Sequence, residues 1–153
     1  MDYSDAIDIV AAPSAAFAAI ADLPSMGRRS PENTGGEWLN ASGPAPGARF
    51  RGTNARNGST WSTTARVTTF DPPGSFVFEV TYRGFRVSRW EFVVEPTSAG
   101  CRVTEKWQDR RNYFLRRSTD GDGFERAQYT KTSIRATLEA LKRELEGSAT
   151  QLP

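Results

Sequence analysis

The chain contains no histidine and a single cysteine, Cys101. Those two counts remove most familiar catalytic machinery: Ser-His-Asp and Cys-His nucleophiles, imidazole bases, histidine metal sites and thiolate clusters. A carboxylate-only Mg2+ or Ca2+ site would need a loop of alternating acids, and no DxDxDG-like run is present. The sequence therefore implies neither metal nor cofactor. What remains is one carboxylate in an unusual place. In the stretch Cys101 to Asp109, alternation puts Cys101, Val103, Glu105, Trp107 and Asp109 on one side of a strand. A buried carboxylate is costly unless it is paired or held neutral. There Glu105 orients a ligand hydroxyl or carbonyl, or works as a general acid/base. The bland alternative turns it to water at a bulge, or pairs it with Arg66 or Arg89. Asn54, Thr63 and Tyr82 interrupt the same inward face and could position oxygens.

A second constellation surrounds Asn112-Tyr113-Phe114-Leu115 with Arg110, Arg111, Arg116 and Arg117. Arginines interleaved with aromatics can bind nucleic acid, but no matching basic stripe occurs elsewhere, so no nucleic-acid partner is expected. The arginines read as a solvated rim. Tyr113, Phe114 and Leu115 read either as a lid over a pocket mouth, with Gly121 and Gly123 as flexible points, or as an ordinary loop tucked into the following helix. Arg49, Arg51, Arg66, Arg83 and Arg89 fall on the outward phase. Gly35-Gly36 lacks the strand-then-helix setting of a phosphate loop.

The elements that must carry these residues run strand, small helices, many strands, long helix. Tyr3 to Val10 alternates as a first strand; Pro13-Ser14 opens a helix with Phe17, Ile20 and Ala21 on one stripe. Pro24 ends it, Met26 to Arg29 adds a turn, and Glu37 to Asn40 reads as a short strand. Ala48 to Arg56 and Ser59 to Phe70 flank Asn57-Gly58, a two-residue hairpin signal. That loop sets Asn54 opposite Trp61, Gly52 opposite Thr63 and Phe50 opposite Ala65. After Asp71-Pro72-Pro73-Gly74, Ser75 to Tyr82 carries Phe76, Phe78, Val80 and Tyr82 on one face. Val87 to Val94 carries Trp90, Phe92 and Val94. Matching these faces needs an odd loop, read as Gly84-Phe85-Arg86. An even loop before Cys101 then sets Glu105 opposite Trp90.

From Asp122, an expected N-cap with Glu125 three residues on, the period changes to 3.6. Phe124, Ala127, Ile134, Leu138, Leu141 and Leu145 mark a helix from about Gly123 to Glu146, roughly 35 Å long. Gly147 reads as its C′ glycine. A single domain spanning 1–147 with a disordered tail, 148–153, is expected.

Size and composition agree: 153 residues suit one domain, and 37% apolar with 25% charged residues suits a soluble globular chain. No apolar run reaches the roughly 18 residues of a membrane span, the acidic start is unlike a signal peptide, and a lone cysteine fits a reducing cytoplasm. A formal net charge of +2 implies no polyanionic partner.

Several strings resemble a known family. They are Met26-Gly27 before Ser30-Pro31-Glu32, Gly36-Glu37-Trp38-Leu39, the run Gly47 to Asn54, Trp61-Ser62-Thr63, Asp71-Pro72-Pro73, Arg89-Trp90 and Val103 to Trp107. From about residue 5 to 146 the chain resembles the polyketide cyclase/dehydratase-related branch of the START-like (Bet v 1-like, SRPBCC) superfamily. The resemblance implies an α+β helix-grip fold: a seven-stranded curved antiparallel sheet wrapped around a long C-terminal helix, with two short helices after the first strand. It also implies a hydrophobic cavity. Arg29 stands where similar sequences tend to carry an aromatic before Ser-Pro-Glu, which bears on the pocket entrance. Members include lipid and sterol carriers, aromatase/cyclases, hormone receptors and stress proteins, and the resemblance carries over no catalytic residue.

Together these readings point to a cytoplasmic protein, monomer or weak homodimer, holding a small hydrophobic ligand (lipid, polyketide or aromatic compound). The expected contacts are Phe50, Asn54, Trp61, Thr63, Phe78, Val80, Tyr82, Trp90, Phe92, Val103, Glu105, Trp107 and Ile134. The alternatives are a cyclase/dehydratase using Glu105 as acid/base, and an adaptor whose cavity is filled by side chains.

Overall fold

The computed structural model describes residues 2–120 and 125–150. Strands β1 (Asp2–Ile9), β2 (Asn33–Trp38), β3 (Arg49–Arg56), β4 (Ser59–Asp71), β5 (Ser75–Tyr82), β6 (Phe85–Pro96) and β7 (Cys101–Asp109) form one sheet. Its order is β1-β7-β6-β5-β4-β3-β2, antiparallel throughout. Helix α1 (Pro13–Ala21) and a 3-10 turn (Leu23–Arg28) follow β1. A short α2 (Tyr113–Asp120) and the long α3 (Glu125–Thr150) follow β7. The chain is a helix-grip α+β fold with its curved sheet around α3.

Turn chemistry sets much of the register. Asn57 and Gly58 both take positive φ, 53° and 79°, the geometry whose twist matches a two-residue hairpin. Asn54 faces Trp61, Gly52 faces Thr63 and Phe50 faces Ala65, as the loop length requires. The β5–β6 turn differs from expectation. It is the two-residue Arg83-Gly84, φ 50° and 82°, and the odd residue is a bulge at Val87, so that Val80 faces Ser88 while Thr81 faces Arg86. The inward parity of Phe78 opposite Trp90 survives. At the β6–β7 turn the ladder runs on to Pro96 opposite Cys101, so Glu105 faces Phe92, and Trp90 faces Trp107. The shift is even, which keeps Glu105 on the inner face.

Other boundaries move for physical reasons. β2 starts at Asn33, earlier than the expected Glu37. Its Gly36, at φ 150°, lies so close to β3 that a Cβ would collide with the Arg51 carbonyl oxygen and the Phe50 ring. Only glycine lets that edge strand approach. The segment after β7 is helical where a loop was expected, because Asn112 Oδ1 accepts from the Leu115 N–H at 2.8 Å and caps α2. α3 runs through Gly147 to Thr150, past the expected glycine stop. Lys142 and Glu146, joined at 2.7 Å, bind its last turns to the β1 end. The expected cap Asp122, Phe124 and the hinges Gly121 and Gly123 lie outside the described residues, as do 151–153.

The core concentrates at the α1 end. Phe17 packs on Phe70 and Phe76, with ring centroids 5.6 and 6.3 Å apart, and Phe76 continues to Phe78. Ile20, Leu23, Val67, Val103, Ile134, Leu138 and Leu141 close the same cluster.

Candidate functional site

Beyond that cluster the sheet curls away from α3 and encloses a cavity of about 770 Å3. Eleven of the thirteen expected contact residues border it: Phe50, Asn54, Trp61 and Thr63 from β3–β4; Phe78, Val80 and Tyr82 from β5; Trp90 and Phe92 from β6; Glu105 and Trp107 from β7. Val103 and Ile134 do not. They are buried to 0% and 1% exposure in the solid core, because their levels on β7 and α3 lie where the helix touches the sheet directly. Phe50, Phe78, Trp90, Phe92 and Trp107 stand around this space.

Polar residues make up about half of the wall, and several of them are paired with one another. Asn54 Nδ2 donates to Thr63 Oγ1 at 3.3 Å across the β3–β4 ladder, and Trp90 Nε1 donates to Ser88 Oγ at 3.0 Å. Glu105 is 4% exposed, and its Oε2 is buried without a hydrogen-bond partner. Neither Arg66 nor Arg89 reaches it: Arg66 is exposed, and Arg89 pairs with Glu91 at 3.2 Å. Burial, reinforced by the negative charge of Asp5 on the neighbouring strand, pushes the Glu105 carboxyl up to about 8.

Arg111 is a residue that the sequence reading misplaced. It is no solvated rim group but is buried at 6% exposure and borders the cavity. Its Nε and Nη2 grip the Asp109 carboxylate at 3.0 and 2.8 Å, and its Nη1 donates to Thr119 Oγ1 at 2.8 Å. Burial alone would raise the Asp109 carboxyl, but the hydrogen bonds and charge of Arg111 outweigh it and hold that group below the ordinary range. Arg29 is likewise buried, tying the 3-10 turn to α3 through Glu144 at 2.8 Å and to the Ala19 carbonyl at 2.9 Å. Tyr113 and Phe114 are exposed at 63% and 79%, so they are not tucked against α3; Leu115 alone of that trio borders the cavity.

Two features escaped sequence reading. Along α3, Thr130, Ser133 and Thr137 line the cavity at spacings of three and four, one hydroxyl stripe beside the apolar one. A 3.6 period was visible, but attention to apolar positions passed over the hydroxyls. At the mouth, Arg56 pairs with Glu125 and lies 3.7 Å over the Tyr129 ring, while Arg126 pairs with Glu32 at 2.7 Å. Among the described residues no group of three or more His, Cys, Asp or Glu could hold a metal ion. The arrangement can therefore exclude water, stack an aromatic body and offer neutral donors to its oxygens. No helix among the described residues is long and apolar enough to cross a membrane.

The comparisons with known proteins agree with this architecture. The solution structure of the Polyketide_cyc-like protein Cgl2372 from Corynebacterium glutamicum superposes with a TM-score of 0.68 at 28% identity, covering 97% of this chain and 93% of that one. The di-domain ARO/CYC StfQ from the steffimycin biosynthetic pathway gives 0.78 at 13% identity, covering 97% of this chain and 51% of StfQ. Ara h 8.0201 gives 0.69 at 11% identity, covering 96% and 98%. The last two show the fold alone. No curated protein matches the chain in sequence. Residues 2–146 match the family described as polyketide cyclase / dehydrase and lipid transport, and the chain belongs to that family.

Proposed function

We propose that this protein binds a small hydrophobic or aromatic molecule in the cavity between sheet and α3, as a cytoplasmic carrier acting as a monomer or weak homodimer. One observation carries the reading: a cavity of about 770 Å3 bordered by Phe50, Trp61, Phe78, Trp90, Phe92 and Trp107. Pockets of this volume and composition are the usual form of small-molecule sites. The lone thiol, Cys101, is buried in the core and supports a reducing compartment.

A second reading, a cyclase or dehydratase, is favoured by the unpartnered Glu105 carboxyl on the cavity wall. Such chemistry can run largely by orienting a flexible substrate and excluding water. Native mass spectrometry of protein purified from its own host tests the carrier reading. An apolar small molecule held at unit stoichiometry is the expected result. Turnover of a poly-β-keto substrate, lost by roughly 10²–10⁴-fold in Glu105→Gln with binding kept, would favour the enzyme instead. No saturable change in tryptophan fluorescence with any of a panel of aromatic polyketides, sterols and fatty acids would defeat both.

A further inference from the structure

Glu105 occupies a position where a wall built only to enclose hydrocarbon would carry an aliphatic residue. It sits on β7 between Val103 and Trp107 on the inner face, with Phe92 opposite on β6 and Asp5 opposite on β1. Among the described residues the charged group acting on it is a second carboxylate, Asp5. Asp5 is a carboxylate already engaged by Arg135 of α3, whose Nε donates to Oδ2 at 2.8 Å and whose Nη2 donates to the Ala6 carbonyl at 2.9 Å. Farther along β7, Arg111 is turned onto Asp109. From β6 the facing groups are the uncharged Phe92 and Trp90. An ionised Glu105 would therefore be a buried charge without a counter-ion beside a second carboxylate, which is costly. Held neutral, the same group becomes an O–H donor, and among the described residues its Oε2 has no hydrogen-bond partner.

The rest of the cavity narrows the ligand. Its flat aromatic walls favour a planar body. Thr130, Ser133 and Thr137 of α3 border the same space, so the helix as well as the sheet brings hydrogen-bonding residues to it. A hydrocarbon would leave those groups unsatisfied. A ligand ammonium would need Glu105 ionised and both charges stripped of water, whereas a neutral O–H to O=C bond needs neither. Resting on the ligand-binding reading above, we infer that the cavity selects a planar aromatic ligand bearing a ketone or quinone-type carbonyl, whose oxygen accepts a hydrogen bond from the Glu105 carboxyl. Glu105 thus acts as a specificity-determining residue, whatever chemistry follows.

Three rigid probes of one skeleton test this: 9-fluorenone, fluorene and 9-aminofluorene, which present a carbonyl, a methylene and an ammonium. Equilibrium dialysis gives their dissociation constants for the wild type, Glu105→Leu and Glu105→Gln, and ratios between variants cancel the probes' own hydration. Relative to Glu105→Leu, the wild type should favour fluorenone over fluorene by about tenfold, the size of a buried hydrogen bond. Glu105→Gln, whose amide N–H still donates, should keep most of that preference. Because burial pushes the Glu105 carboxyl up to about 8, the wild-type preference should fade above that pH, and the Gln variant's should not. Equal fluorenone-to-fluorene ratios in the wild type and Glu105→Leu overturn the inference, as does tighter binding of 9-aminofluorene than of fluorenone. Should Glu105→Leu fail to fold, a wild-type ratio that stays flat from about pH 6 to about pH 10 overturns it just as well. Binding of fluorene and fluorenone with no preference sinks the carbonyl alone. Binding of none of the three takes the ligand-binding reading down with it.

Discussion

The two ends of this molecule use the same materials to opposite effect. At the α1 end, Phe76 meets Phe17 and Phe70 edge to face, Phe17 and Phe70 pack tilted, and the rings fill the space between α1 and the sheet. At the hairpin end, Trp61, Tyr82 and Trp90 are only half-buried, and they stand around open space. Aromatic content does not separate the two ends. What separates them is whether an element crosses the sheet closely enough to be filled in: α1 plugs the first end, and among the described residues no element plugs the second. Stability and binding are thereby divided along the length of one sheet.

The largest effect should come from Phe76→Ala, which removes a fully buried ring that does not border the cavity. Chemical denaturation should show a loss of about 3–5 kcal/mol. A matched pair sharpens the contrast. Val67→Ala in the solid end (0% exposed) should cost about 2–3 kcal/mol, while Val80→Ala on the cavity wall should cost under about 1 kcal/mol, since the space it leaves joins space already empty. Equal losses for the two valines would erase the distinction.

Glu105→Gln sharpens the comparison through pH. The folded state holds the Glu105 proton up to about 8, whereas an unfolded glutamate releases it near 4.5. Its contribution is fully present below the unfolded value and is lost as pH rises through the folded one. Asp109 and Asp5, held low by Arg111 and Arg135, act in the other direction and withdraw support as pH falls through their folded values. Denaturation across the pH range should therefore show a decline between about pH 4.5 and 8 that Glu105→Gln flattens, while the fall at lower pH set by Asp109 and Asp5 is unchanged. The smallest effect belongs outside both ends: Phe114→Ser, on an exposed ring, should move stability by less than about 0.5 kcal/mol.

Most of the sheet was legible because local rules agreed. Asn57-Gly58 admits one hairpin geometry, and from it follow Asn54 opposite Trp61 and the inward phase of β3 and of β4 as far as Val67, where a bulge shifts the phase toward Phe70. Glu105 was legible as inward because alternation in Cys101–Asp109 is unbroken. The position of its neighbours was not, since a ladder can run past a proline at its end and no local signal says how far. The bulge at Val87 hid for a similar reason: a three-residue loop and a two-residue loop plus bulge give the same parity. Arg111 was missed because its burial depends on Asp109 and on α2 folding back, both set by tertiary contact. The hydroxyl stripe on α3 becomes meaningful only once the cavity is seen beside it.

The fastening of α3 has a mechanical consequence. Near its C-terminal end Glu146 accepts from the Val10 N–H at 3.0 Å, Lys142 donates to the Asp8 carbonyl at 2.8 Å, and Glu144 is held by Arg29. Arg135 adds a further clamp to Asp5 and the Ala6 carbonyl, so the arm beyond it to Glu125 is ten residues, roughly 15 Å at 1.5 Å per residue. The helix is thus a lever with its fulcrum at the β1 end and its arm over the cavity. A ligand too thick for the slot lifts that arm most at the tip, where Glu125 meets Arg56 and Arg126 meets Glu32. Thickness inside the protein is converted into a gap at its door.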